Sequence, residues 1–249
     1  MCRSLEKCLP FQYLSQIFAN VNETVKVLED SLCDWRQFPF QKYEGNMELL
    51  GDPHWTSGKA IQIYIAKHNF MRHEIQGGRH YYKKHNKAAM RALAFKPEIQ
   101  RYADLNLSKI ARKVGKKANK LTFVGIHNRR TDYLQFRRKT LGLDNLYEDY
   151  FADAMEYFKE EYGEDSVVFV YVSDDMKWGR RNLKEAKNLF VLGCGENSKT
   201  DCVGKDFALL ANCNHTIVSH GTFGHWASYI AGGEIYTEYG SIIPDAMTN

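Results

Sequence analysis

The chain lacks several features that would assign a protein quickly to a class. Its 249 residues contain no run of about 18 apolar residues, so the sequence has neither a transmembrane helix nor a recognisable signal peptide. Its six cysteines include no Cys-x-x-Cys pair, and its nine histidines are scattered without the spacing of metal ligands. The sequence therefore gives no indication of a metal site.

An excess of charge of one sign is also missing. The net charge is only +4, which is a weak argument for nucleic-acid binding. The basic stretches at residues 79–91 and 109–120 have the spacing of solvated helix faces, and no base-reading motif accompanies them. We therefore expect no nucleic-acid partner, and the apolar content of 44% indicates a globular chain.

The cysteines allow one disulfide. Cys194 and Cys202 flank the polar loop 195–201, and this spacing would allow a loop-closing bridge in an oxidising compartment. Cys213 lies between a predicted helix and a predicted strand, and we interpret it as a small buried hydrophobe.

The C-terminal half alternates short apolar runs with helical patterns. The predicted strands are 121–126, 166–172, 188–192, 215–219 and 234–237, and the predicted helices are 145–162, 176–187, 204–212 and 223–231. The first of these helices carries an apolar stripe at helical spacing, formed by Tyr147, Tyr150, Phe151, Ala154 and Phe158. Because the strands are continuously apolar, helices should cover both faces of the sheet. The pattern predicts a doubly wound, Rossmann-like α/β lobe.

Residues 1–114 give a weaker pattern. Helical periodicity is present at 18–28 and 60–70, residues 52–55 mark a turn, and Pro97 begins another helix in its first turn. Strand alternation is too sparse for a second Rossmann lobe. We therefore divide the chain into a shortened, mostly helical N-terminal lobe, 1–114, and a C-terminal lobe, 115–249.

A charged cluster follows the first predicted strand. Residues 127–132 read His-Asn-Arg-Arg-Thr-Asp. Ligands bind where the strands of an open parallel sheet end, so the guanidiniums of Arg129 and Arg130 would point into a cleft and hold a phosphate. The alternative is a surface loop in which Arg129 or Arg130 forms an ordinary ion pair with Asp132.

Residues 205–233 supply a second candidate segment. They read as a helix from Asp206, a buried strand, a Gly-Thr-Phe-Gly turn and a helix that ends at Gly-Gly. Gly221 and Gly224 would let backbone approach a ligand, Thr222 is the predicted N-cap, and the free N–H groups of the new helix attract an anion. The alternative is a tight connection without a ligand.

Together the segments resemble glycosyltransferase family 11, the inverting α1,2-fucosyltransferases that use GDP-fucose. The resemblance covers roughly residues 115–245, and it is carried by the His127-x-Arg129-Arg130-x-Asp132 motif, by Ser-Asp-Asp-Met-Lys-Trp at 173–178, and by residues 206–233. It implies a GT-B-like fold in which 115–249 binds GDP-fucose and 1–114 is the acceptor-side lobe. It also implies transfer of L-fucose to a galactose-terminated glycan acceptor.

Candidate donor-binding residues follow from the chemistry of the leaving GDP. We expect no metal ion, so cationic side chains and helix-terminal N–H groups must stabilise the diphosphate. Arg129 and Arg130 are the candidates, with backbone donors from Gly221, Thr222 and Phe223.

Three carboxylates are further donor-binding candidates. The resemblance implies that Asp206 holds the guanine edge and that Asp174 or Asp175 contacts the ribose or base. The alternative for Asp206 is a carboxylate at a helix N-terminus that interacts with the helix dipole.

The catalytic candidates are Arg130, His127 and Asp132. His127 could be the base, or its ring could be oriented toward the nucleotide. Asp132 is the nearest carboxylate of the motif, and its alternative role is to orient Arg129 or Arg130.

The linkage stays open on the sequence. Thr131 stands where mammalian α1,2-enzymes usually carry glycine, and at that position the motif is closer to core α1,6-fucosyltransferases. The alternatives are therefore an enzyme of α1,6 or protein O-linked specificity, and a truncated or inactive GDP-fucose-binding relative.

The family resemblance also implies a compartment. Animal members are typically Golgi type II membrane proteins, whose tail, anchor and stem would precede Met1 here. The chain would then be a fragment, the product of an incomplete gene prediction or a soluble relative. We would expect membrane attachment only through an anchor that this sequence lacks. Three tripeptides fit the N-glycosylation pattern, at 22–24, 106–108 and 214–216, and we interpret the third as structural.

Overall fold

The computed structural model describes residues 16–20, 90–91, 93–183, 188–193 and 200–242. The chain divides into two compact units, residues 1–94 with 248–249, and residues 95–247.

Few residues of the first unit are described. The backbone N–H of Ala19 donates to the Ala94 carbonyl at 2.8 Å, and Asn20 Nδ2 donates to the Arg91 carbonyl at 2.9 Å. These long-range bonds hold residues 18–20 outside helical geometry, although the sequence predicted a helix from Phe18. The rest of that helix, the predicted helix 60–70 and the turn at 52–55 lie outside the described residues.

The described part of the second unit forms a six-stranded sheet. Its strands are β1 Thr122–Asn128, β2 Val167–Ser173, β3 Leu189–Val191, β4 His215–Val218, β5 Ile235–Thr237 and β6 Gly240–Ile242. They lie in the order β3-β2-β1-β4-β5-β6, and all neighbours are parallel except β5 and β6. The doubly wound, Rossmann-like prediction for this part of the chain is confirmed.

Among the described residues of this unit, six α-helices connect or flank these strands. They are α1 Pro97–Val114, α2 Thr131–Phe136, α3 Glu148–Tyr162, α4 Met176–Asn182, α5 Thr200–Ala211 and α6 Thr222–Ala231. A π-helical turn, Arg137–Leu141, continues α2, and a 3-10 turn, Ala118–Lys120, precedes β1.

Side chains from alternate positions of the strands pack on opposite faces of the sheet. On one face, the predicted stripe of α3 is buried through Phe151, Ala154 and Phe158, which cluster with Val124 and Phe169. On the other face, Leu107, Ile110 and Ala111 of α1 cluster with Phe123 and Val168. Every residue of β2 is buried, as the continuous apolar run predicted.

The packing of α1 also explains where the second unit begins. We expected the boundary near residue 115, and the unit begins at Phe95 because the apolar face of α1 covers the sheet. Pro97 occupies the first turn of α1, as predicted. The acceptor-side and donor-side roles of the two parts of the chain stay predictions.

Strand β1 is longer than its apolar run. It continues through Asn128, whose Nδ2 donates to the Tyr171 hydroxyl at 3.0 Å and whose carbonyl accepts from Ser173 Oγ at 2.6 Å. His127 therefore lies in the strand, although the sequence placed it just beyond. Strand β6 and helix α2 were not predicted.

The double glycine after α6 has two distinct structural roles. Gly232 adopts the left-handed conformation, with φ 80°, and ends the helix. A Cβ on Gly233 would lie 1.7 Å from the Asn214 carbonyl oxygen, so only glycine allows this close approach.

The described residues also bear on the predictions about cysteines and about the third glycosylation tripeptide. Cys213 is buried and its thiol donates to the Leu209 carbonyl at 3.2 Å, which confirms the interpretation as a core residue. Cys194 lies outside the described residues, but Cys202 is a free cysteine, so the predicted bridge between them is not formed. In the third glycosylation tripeptide, Asn214 Oδ1 accepts from the Phe123 N–H and the buried Thr216 hydroxyl donates to Ser228, which supports a structural role.

Candidate functional site

The carboxyl ends of β1 and β4 form the switch point of the sheet. From β1 the strand order runs outward through β2 and β3 on one side, and through β4 and β5 on the other. Open α/β sheets bind ligands in the crevice at this point. The N–H of Arg129 donates to Ser219 Oγ at 2.9 Å, so the two segments singled out from the sequence meet here.

Arg129 lies on the β4 side of this edge. Its Nε and Nη2 donate to the two oxygens of Asp132 at 3.2 and 2.8 Å. Hydrogen bonding to Asp132 raises the pKa of Arg129, and the same bonds lower the pKa of Asp132. The ion pair that we considered as the alternative is therefore present. The arginine also lies beside Gly221, where a Cβ would come within 3.3 Å of its Cδ and Nη1.

Arg130 contacts the loop that follows β2. Its Nε donates to Asp175 Oδ2 at 3.3 Å, and its guanidinium carbon lies 4.4 Å from the centroid of the Trp178 ring. Only 13% of its side chain is exposed. The neighbouring arginines thus contact different loops around the switch point.

Asp174 and Asp175 organise the backbone around the motif. Asp174 Oδ1 accepts from the N–H of Arg130 at 2.8 Å, and its Oδ2 accepts from the N–H and the hydroxyl of Thr131 at 3.2 and 2.6 Å. Asp175 is the N-cap of α4 and accepts from the N–H of Trp178 at 3.0 Å. These bonds give both carboxylates a positioning role, while the predicted contacts to ribose or base stay predictions.

His127 is 6% exposed and packs against α6. Its ring centroid is 5.0 Å from that of Phe223. A Cβ on Gly224 would lie 2.6 Å from His127 Nδ1, so this glycine lets the helix approach the ring. Burial lowers the pKa of His127 from 6.5 to about 4; Asp174 opposes this shift, and Arg129 and His225 add to it. The imidazole is therefore neutral near neutral pH.

We expect the buried His127 to make the stability of the protein depend on pH. Between pH 6.5 and 4 the unfolded chain binds a proton at this residue and the folded chain does not, so stability falls as the pH falls. From about pH 7 to about pH 4.5, the free energy of unfolding should fall about 2 kcal/mol more in the wild type than in His127→Gln. Urea unfolding of both proteins across this range measures the difference. Parallel curves would show that the folded protein protonates His127 normally.

The first turn of α6 differs from the prediction in its cap. Gly221, with φ 93° and ψ 155°, is the N-cap, and Thr222 is the first helical residue, so the prediction of Thr222 as N-cap is wrong. Glycine is favoured there because side chains rarely adopt this backbone conformation. Phe223 contacts His127 and also the Phe207 ring, with centroids 5.1 Å apart.

Asp206 lies inside α5. The described helix begins at Thr200, so Asp206 is beyond the first turn, and the alternative that placed it at a helix N-terminus is wrong. The side chain is 8% exposed, and its Oδ2 would lie 3.2 Å from a Cβ on Gly193, which follows β3. The predicted contact to guanine stays a prediction.

A buried charged cluster beside the motif was not found from the sequence. Arg137 Nη2 bonds to Glu238 Oε2 at 2.7 Å, and the other oxygen of Glu238 lies 3.2 Å from His220 Nε2. Burial lowers the pKa of His220, Glu238 opposes this shift, and Arg137 adds to it. The π-helical turn and the β5–β6 hairpin bring these residues together, and neither element has a strong sequence pattern.

The described ranges contain neither a cluster of metal-binding side chains nor a helix that could span a membrane. No group of three His, Cys, Asp or Glu side chains is placed to bind a metal ion there. None of the helices described has both the length and the apolar character needed to cross a bilayer. Independence from metal stays a prediction.

The fold and the paired arginines at its switch point are typical of a nucleotide-sugar glycosyltransferase. The profile of Glycosyl transferase family 11 matches residues 63–242. Because this range covers more than half of the sequence, the chain belongs to glycosyl transferase family 11, as the motifs indicated.

Similar curated proteins are named Galactoside alpha-(1,2)-fucosyltransferase 1. The one from Saimiri sciureus is 40% identical over 126 residues, 50% of this chain and 33% of that protein. Those from Leontocebus fuscicollis and Lagothrix lagotricha are 39% and 40% identical over 127 and 130 residues, with the same shares. The chain thus aligns with about a third of the length of the curated relatives it matches.

Proposed function

We propose that the protein is an inverting α1,2-fucosyltransferase that moves L-fucose from GDP-fucose to a terminal galactoside of a glycan. Membership of the family and the names of its relatives support this activity. The observation that carries it is the meeting of Arg129, Arg130 and the N-terminus of α6 at the switch point. A GT-B fold, an acceptor-side N-terminal lobe and a Golgi location belong to the same proposal.

Arg129 is suited to bind one phosphate of the donor. The guanidinium group of Arg129 is held by Asp132, whose side chain is 68% exposed. An exposed ion pair contributes only about 0–1 kcal/mol, so a doubly charged diphosphate can share or replace it. The N–H groups of Gly221, Thr222 and Phe223, at the start of α6, supply further donors to the same anion.

Arg130 is suited to hold the diphosphate from the side of α4. Its Nε donates to Asp175, and in the described part of the chain neither terminal nitrogen of its fork has a hydrogen-bond partner. A planar fork fixed by Asp175 and Trp178 presents two parallel donors to phosphate oxygens. Donors that are already held in place do not have to reorient when negative charge develops on the departing GDP.

Inversion requires the acceptor hydroxyl to attack the sugar from the face opposite GDP. The bond from the anomeric carbon to the diphosphate oxygen breaks with its electron pair staying on GDP, while the hydroxyl oxygen forms the new bond and loses its proton to a base. Asp132 is the accessible catalytic candidate for this proton. His127 is buried against Phe223 and suits a wall of the donor site.

The test is acceptor-dependent release of GDP from GDP-fucose by the full chain, followed by linkage analysis of the product. We expect release with a β-galactoside, an α1,2 linkage, and equal rates with EDTA or added manganese, because paired arginines replace a metal in this site. Loss of turnover in EDTA that manganese restores would contradict the metal-free mechanism. An α1,6 or protein O-linked product, or GDP binding without transfer, would contradict the proposed activity.

A further inference from the structure

Two buried hydrogen-bond donors beside the motif have no partner among the described residues. They are the hydroxyl of Tyr133 and Nη1 of Arg137. The two residues are only 7% and 6% exposed. A buried donor without a partner destabilises the folded protein, and native proteins leave few of them. Each of these donors is therefore expected to face a group that accepts hydrogen bonds.

Both side chains line one small cavity at the switch point. Its volume is about 10 Å³, and its walls include Arg129, Arg130, Tyr133, Arg137, Ser219 and His220. This volume is about that needed for one water molecule. The cavity thus accepts a single oxygen atom, and any larger ligand must remain at its mouth.

Arg137 lines this cavity, and two of its three guanidinium nitrogens are bonded elsewhere. Nη2 bonds to Glu238 at 2.7 Å, and Nε donates to the Asp144 carbonyl. The remaining nitrogen, Nη1, is the one without a partner in the described structure. A π-helical turn begins at Arg137, and such turns are frequent at functional sites.

The chemistry of the cavity favours an anionic oxygen. Nη1 of a guanidinium can only donate, and the phenol of Tyr133 can donate to the same acceptor. Three arginines, Arg129, Arg130 and Arg137, line the cavity. A phosphoryl oxygen has the size, the charge and the accepting capacity that this arrangement requires.

We propose that Tyr133 and Arg137 form an inner subsite for one oxygen of the donor diphosphate, beneath the two arginines of the motif. This inference rests on the proposed function, because it takes its ligand from the nucleotide-sugar donor. The rest of the diphosphate lies at the mouth of the cavity, against Arg129, Arg130 and the turn at Gly221. Arg137 then adds a third cationic side chain to the site of the leaving group, and Tyr133 adds a neutral hydrogen-bond donor.

Tyr133→Phe is the sharpest test, because the change removes only a hydroxyl without a described protein partner. We expect GDP and inorganic pyrophosphate each to bind roughly tenfold more weakly, since a hydrogen bond to a charged oxygen is lost. Tyr147→Phe is the matched control: its side chain is 51% exposed, and its hydroxyl lies 3.5 Å from Arg138. The control should bind both ligands like the wild type. Calorimetry of the full chain measures all affinities.

Arg137→Lys is the second variant. It keeps a positive charge toward Glu238 but lacks the second terminal nitrogen, so we expect a loss of affinity at least as large as in Tyr133→Phe. Melting temperatures check that both variants fold. Unchanged GDP affinity in a folded Tyr133→Phe would overturn the subsite while leaving the proposed function intact. Weaker GDP binding with unchanged pyrophosphate binding would also overturn it, and absence of GDP binding in the wild type would reject the proposed function itself.

Discussion

Replacing Arg130 by lysine is expected to lower fucosyl transfer roughly 100-fold, although the charge is retained. The guanidinium can meet two diphosphate oxygens as charge develops on the departing GDP, whereas an ammonium is one compact point charge. Losing such a contact should remove about 2–4 kcal/mol of transition-state stabilisation, by analogy with the loss of an oxyanion donor. Transfer rates at saturating galactoside acceptor measure this effect.

The contacts of Arg130 also set the expected change in stability. Its stacking on Trp178 and its bond to Asp175 are partly lost in lysine, so we expect the free energy of unfolding to fall by about 1 kcal/mol. The matched control is Arg101→Lys, at an exposed position of α1. This variant should change neither the transfer rate nor the free energy of unfolding. Near-normal transfer in Arg130→Lys would remove this residue from the site. A collapse in melting temperature would favour a purely structural ion pair.

The sequence predicted the regular elements best where burial imposes a period. Strand β2 is buried along its whole length and α3 buries a single apolar stripe, so both patterns are local. The C-terminal end of β1 could not be predicted in this way. Asn128 extends the strand because its side chain and carbonyl bond to Tyr171 and Ser173, which lie far away in the sequence.

In the site, too, the position of the motif could be predicted from the sequence but the contacts of its side chains could not. That the arginines would lie at a strand end follows from the position of the motif after an apolar run. Their partners depend on strand register: pairing of Asn128 with Ser173 brings Asp174 to Thr131, and no local pattern indicates this contact. The bond between Arg137 and Glu238 spans 101 positions and depends on a π-helical turn and a hairpin.

Asp174→Asn is expected to reduce stability by about 3 kcal/mol, because an amide cannot replace this carboxylate. One carboxylate oxygen accepts the Arg130 N–H, and the other accepts the N–H and hydroxyl of Thr131. An amide has a single acceptor oxygen, so in either orientation its NH₂ group faces at least one N–H donor. Hydrogen bonds to charged groups contribute about 1.5–3 kcal/mol, and loss of one or two of them gives the expected change.

Transfer should fall about as far as in Arg130→Lys, since Asp174 fixes the backbone from which the Arg130 side chain projects. The matched control is Asp153→Asn, at an exposed position of α3, which should retain stability and transfer. Thr131→Ala removes one of the same hydrogen bonds. The double variant with Asp174→Asn should therefore lose less free energy of unfolding than the sum of the losses in the two single variants.

Urea unfolding together with the kcat and KM for GDP-fucose distinguishes the two roles of Asp174. A positioning residue loses stability and kcat together, because the start of α2 and the guanidinium of Arg130 shift as one. A direct ligand of the ribose or base would instead raise the KM for the donor and leave the folded protein as stable as the Asp153→Asn control. A raised KM with unchanged stability would contradict the positioning role and would support the contact to the nucleotide that the sequence resemblance implied for Asp174.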